Sequence, residues 1–127
     1  MTDADFLAAM EDTSLADADF RYRDHLRAAY LYLRRDGFAG AVAAMSIALR
    51  RFAASRGKAD RYHETITVAF LALVNERLAT SGEPGSFKAF IDRHPEIAEH
   101  DLLGRYYRPE TLSSERARRA FVLEPRF

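Results

Sequence analysis

From residue 17 onward, apolar side chains recur at three- and four-residue intervals, and glycine and proline cluster at the seams between the periodic segments. That spacing is the period of an α-helix, and no segment alternates apolar and polar residues over strand length. The pattern predicts an all-α fold: a single-domain helical bundle of three long helices plus short C-terminal helices, more than half helical and without a sheet. A first helix is expected over about 17–35, with Tyr22, Leu26, Ala29, Tyr30 and Leu33 on one stripe, ending at Asp36-Gly37, where glycine can take a left-handed C-cap. A second follows on Phe38, Val42, Met45, Leu49 and Phe52 and stops near Gly57. The third, about 60–80, is the most apolar and is expected at the centre, closed by the loop "TSGEPG". Behind it come "SFKAFIDR", "PEIAEHDLLG" and "SSERARRAFVL", read as short helices that bury Phe87, Phe90, Ile91, Leu102, Leu103, Phe121 and Val122 in a shared core.

A chain of 127 residues is large enough to build one core without metals or disulfides. With no cysteine, disulfide frameworks, thiolate catalysis and cysteine-ligated zinc are excluded, which suits a reducing compartment. The N-terminus is acidic where a signal peptide would be basic, and the longest apolar run, Val68 to Val74, falls far short of the roughly 20 residues of a membrane span, so the reading is cytoplasmic with no membrane partner. Nineteen basic and nineteen acidic side chains cancel, but residues 1–19 hold six acids and no base. Residues 1–15 are therefore expected as an acidic, flexible tail that can be deleted without unfolding the domain at 16–127.

Ala29, Tyr32, Ala41, Met45 and Ala48 match the small-aromatic-small-large-small spacing of a tetratricopeptide helix pair. A shift of 34 residues lands on His63, Ile66, Asn75, Ala79 and Gly82, so no second repeat follows and the match indicates helix-hairpin packing only.

The segment "RYHETITVAF" carries the polar residues that most need explaining. On a helical wheel Ile66, Phe70, Leu71, Leu73, Val74 and Leu78 define one face of the third helix, His63 and Thr67 fall near its middle, and Glu64 and Asn75 lie on its flank. Buried imidazole and hydroxyl groups require partners. His25, with Tyr22 and Tyr32, lies beside the stripe of the first helix and offers them. Two readings follow. One is a ligand pocket formed by His63, Glu64, His25, Thr67 and Tyr32, for a small molecule and with catalysis left open. The other is a scaffold or interaction protein in which the same cluster only packs. "HETIT" would be a zinc-protease motif if Thr67 were histidine, so no metal is assigned, and any metal would have to recruit His25, His94 or His100.

"GRYYRPETLSSERARRAF" interleaves Arg and Tyr, a combination that can grip phosphates and stack on bases, but the balanced net charge disfavours nucleic acid. Its arginines are expected to pair with Glu110, Glu115 or other acids and hold the C-terminal segment. No Ser-His-Asp order, phosphate loop or nucleophile elbow is present, so neither a reaction nor a cofactor is assigned, and self-association into a homo-oligomer is compatible with the sequence. "HLRAAYLYLRRDGF", "YHETIT", "NERL" and "RYYRPETLSSERARRAFVLEP" resemble recurrent segments of a small bacterial family of uncharacterised all-helical proteins, a likeness spanning most of residues 20–125. The resemblance implies a helical fold and bacterial origin, and no activity.

Overall fold

Side chains that repeat every three to four residues bury one stripe per helix, and the computed structural model is helical accordingly. It describes residues 1–82 and 85–125, of which 74% are helical, with no strand among them. Glu83 and Pro84, in the middle of the expected "TSGEPG" loop, lie outside the described residues. The chain divides into two compact units, Met1–Tyr62 and His63–Phe127.

The first unit opens with α1, Asp3–Glu11, where a tail was expected. The acids that suggested disorder favour the helix instead: Thr2 caps it by accepting from the Asp5 N–H at 3.0 Å, and Asp3 and Asp5 sit in the first turn, where negative charge complements the helix dipole. Phe6, Leu7 and Met10 share its inner face and are buried, and Leu15 follows them into the core. Arg27 fastens α1 from the next helix, donating to Asp3 at 2.7 Å and lying over the Phe6 ring at 4.5 Å.

α2, Tyr22–Ser55, spans both of the first two expected helices and is interrupted at Gly37, whose φ of 73° and ψ of −179° are not helical. Only glycine adopts that conformation without strain. The two arms double back on each other: Phe20, just before the helix, has its ring centroid 5.0 Å from that of Phe52 near the other end. Ala29, Tyr32, Ala41, Met45 and Ala48, the five residues of the hairpin pattern, are all buried. The stripe on the second arm runs through Ala41, Met45, Ala48 and Phe52, and Phe38, expected on it, is exposed. Small residues face the other arm because they allow close approach. By length and composition alone α2 would also suffice to cross a membrane, a property shared by core helices of soluble proteins.

The second unit is built on α3, Glu64–Ser81, with α4, Phe87–Arg93, two 3₁₀ turns at Pro95–Ala98 and Leu102–Arg105, and the short α5, Pro109–Leu112, and α6, Glu115–Arg119. Phe70, Leu71 and Val74 from α3 are buried, as are Phe90 and Ile91 from α4, Ile97, Leu102, Tyr107 and Ala117. Phe121, expected in the core, is 43% exposed, and Leu123, two residues on, is 75% exposed.

Candidate functional site

The expected site residues divide between the two units: His25 and Tyr32 belong to the first, and His63, Glu64 and Thr67 to the second.

In the second unit His63 is the N-cap of α3 rather than a residue on its inner face. Its Nδ1 accepts from the Ile66 N–H at 3.0 Å, so the ring proton sits on Nε2, which donates to the Leu112 carbonyl at 2.7 Å. Thr67 donates to the His63 carbonyl at 2.8 Å. Glu64, half-buried in the first turn and itself partnered, has its charge where the helix dipole favours it. The wheel placed Ile66 on the inner face, but it is 38% exposed, and the fully buried residue is Thr65, which the sequence reading missed. The Thr65 hydroxyl donates to the Ala120 carbonyl at 2.9 Å and accepts from the Val122 N–H at 3.0 Å. Tyr107 completes the clasp by donating to the Val122 carbonyl at 2.7 Å. Both nitrogens of His63 and both hydroxyls are thus spent on backbone groups, which is how a packing network looks.

The arginines of this segment pair with Glu115, one of the acids expected, and with Glu124 near the C-terminal end. Arg118 and Arg119 pair with Glu115, and Glu124 takes the Arg108 N–H and the Thr111 hydroxyl. Those two hydrogen bonds, from the Arg108 backbone first, hold the Glu124 carboxyl below the usual glutamate range. Beside them is a groove of about 860 Å³ whose lining includes Arg108, Thr111, Arg116, Phe121 and Leu123.

In the first unit Tyr32 is fully buried, and its hydroxyl makes no hydrogen bond. Burial, and then the Glu11 carboxylate acting through its charge, push its ionisation well above the usual tyrosine value. It lines neither the groove of the second unit nor the cleft of the first. His25 does line that cleft, which measures about 370 Å³, at the low end of the roughly 300–1,000 Å³ typical of small-molecule sites. Three segments form the cleft: the 3₁₀ turn with Asp17 and Phe20, the end of α2 with Leu49, Phe52 and Ala53, and the loop from Arg56 to Tyr62.

Each wall is fixed for a physical reason. The imidazole of His25 stacks on Phe20 at 3.9 Å and 19°, and Phe20 in turn meets Phe52 edge-on. Arg56 pins the turn to the helix end: Nε donates to Asp17 at 2.7 Å, Nη1 to the Thr13 carbonyl at 2.8 Å and Ser55 at 2.9 Å, and Nη2 to the Leu15 carbonyl. Thr13 needs the support, since a β-branched residue at φ 67° is strained. Desolvation lowers the pKa of His25, with Asp24 pulling weakly the other way, so the ring is neutral near pH 7. Its ring nitrogens, unlike those of His63, make no hydrogen bond with the described residues.

Among the described residues no group of three or more His, Asp or Glu side chains is placed to hold a metal ion. His94 meets Phe90 at a tilt of 50° with ring centroids 5.1 Å apart, and its Nδ1 lies 3.6 Å from Glu96. Compared with known proteins, the chain matches no family model, no curated protein and no solved structure.

Sequence reasoning missed Phe20, Arg56, Lys58, Arg61 and Tyr62. The signal was present in "RGKADRY", three cations at and just past the expected end of the second helix, to which sequence reasoning assigns no role.

Proposed function

We propose that this protein binds a small molecule in the cleft of its first unit, with His25 as the polar anchor. One observation carries the reading: a half-buried, neutral imidazole is held by stacking alone, with its nitrogens directed to no protein partner. A polar group that has lost much of its hydration and gained no hydrogen bond is costly, and a ligand that supplies the bond recovers that cost. The rigid walls support the same reading, because Arg56 uses four hydrogen bonds to hold the cleft's shape before any ligand arrives. A neutral imidazole can also take a proton from a bound acid, so the site is compatible with proton-transfer chemistry as well as binding. The His63, Glu64 and Thr67 cluster has no place in this proposal, since its polar atoms support the backbone.

A thermal-shift screen of small metabolites tests the proposal, because a compound that binds only the folded state must raise its melting temperature. The expected result is at least one compound whose stabilisation disappears in His25→Phe, which keeps the stacking and removes the nitrogens. Compounds that stabilise both proteins equally, or none that stabilise either, would refute it.

The second reading, an interaction module, draws on Phe121 and Leu123, which stand exposed beside the groove of the second unit.

A further inference from the structure

We infer that the cleft takes a small oxyanion with an apolar body, an aryl or alkyl carboxylate or phosphate monoester, whose charged end lies at Lys58 and Arg61. The inference rests on the cleft being the binding site and names the chemistry of what enters it. Charge decides first. Asp17, the one acid lining the cleft, is neutralised by Arg56, whose remaining donors go to the Thr13 and Leu15 carbonyls and Ser55. Lys58 and Arg61 also line it, and neither side chain has an ion pair or hydrogen bond with the described residues. Asp60, between them in sequence, does not line the cleft. Two cations are left uncompensated at the mouth, which matches one carboxylate or phosphate group.

The end of a helix ordinarily repels an anion, and α2 ends here. That end is closed: the N–H groups of Arg56 and Lys58 bond the Ala53 carbonyl at 3.1 and 2.8 Å, and Gly57 bonds Ala54 at 3.0 Å. The inner wall of Leu49, Phe52 and Ala53 offers no polar side chain, so the remainder of the ligand is apolar, with His25 available for one further hydrogen bond. A nucleic-acid strand does not fit this inventory, since two cations and a small cleft make too few phosphate contacts.

The test follows the His25 ring resonances by NMR while the full chain is titrated with phenyl phosphate, benzoate, inorganic phosphate and benzyl alcohol. Phenyl phosphate or benzoate should bind at least about tenfold more tightly than benzyl alcohol and than inorganic phosphate, and which of the two prevails assigns the oxyanion. The Lys58→Gln/Arg61→Gln double variant, which removes exposed and unpaired side chains and should melt as the parent does, should lose that advantage while leaving benzyl alcohol binding unchanged. Equal binding of benzyl alcohol, or a double variant that binds the anions as the parent does, overturns the oxyanion inference and leaves the cleft standing as a site for a neutral ligand. Inorganic phosphate binding as tightly as phenyl phosphate overturns the apolar body. If none of the four moves the His25 resonances, the inference fails on its own, and the metabolite screen separately decides whether the cleft binds anything.

Discussion

Replacing His63 separates its two hydrogen bonds, because they leave opposite nitrogens of one ring. In His63→Ala the Ile66 N–H loses its cap and the Leu112 carbonyl loses its donor. Removing an N-cap costs about 1 kcal/mol, and leaving a partly buried carbonyl unpaired costs roughly another 1–2 kcal/mol. His63→Ala should therefore destabilise by about 2–3 kcal/mol. His63→Asn keeps an acceptor in capping position but is too short to reach Leu112, so it should lose only the second contribution, about 1–2 kcal/mol. Urea unfolding followed by far-ultraviolet circular dichroism measures both, and if the two units unfold in separate steps the loss belongs to the step of the unit that holds His63. An alanine variant within about 0.5 kcal/mol of the parent would refute the packing role, and an asparagine variant as damaged as the alanine one would refute the cap.

Three further outcomes are expected. Tyr32→Phe removes a buried hydroxyl that has no hydrogen-bond partner, so it should stabilise the first unit by about 1 kcal/mol, and a loss of stability would show that the hydroxyl is satisfied after all. Deleting residues 1–12 uncovers the surface that Phe6, Leu7 and Met10 fill, and should lower the melting temperature of the first unit by many degrees; an unchanged melting curve would return the segment to the status of a tail. The lowered pKa of His25 means that, as pH falls through the ordinary histidine value of 6.5, the unfolded chain takes up a proton before the folded one does. Stability should therefore decline from that point toward the depressed folded value, and His25→Phe should show a shallower decline over the same window; parallel curves would contradict the desolvation of the ring.

The helical class was legible because it depends on spacing alone, and the break at Gly37 because only glycine suits that turn. What the sequence hid were partnerships across long separations. Thr65 reads as an ordinary polar residue beside an apolar face, and its burial makes sense only once Ala120 and Val122 supply the bonds. His63 was placed inside the helix because histidine is an uncommon cap, which shifted the expected inner face and brought Ile66 in wrongly. The acidic opening was judged by its charge, although Phe6, Leu7 and Met10 carry a complete helix face and the acids occupy the end of the helix that favours them. Of the candidate site, His25 was visible as a polar residue beside a core stripe. Its neighbours were not, because the doubling back at Gly37 is what brings the loop after α2 to the start of the same helix.

The Thr65 clasp has a kinetic consequence. Its two bonds join residues 55 and 57 positions apart, whereas the arms of α2 pair across a single residue. Closing a loop of that length has an entropic cost that must be met before the bonds form, and contacts far apart in sequence slow folding. The hairpin of the first unit can therefore start to close at Gly37, from contacts near the turn, before Arg56 reaches Asp17 at its open end. The second unit must keep α3 waiting, with an unsatisfied threonine on its inner side, until the segment around Val122 arrives to close it.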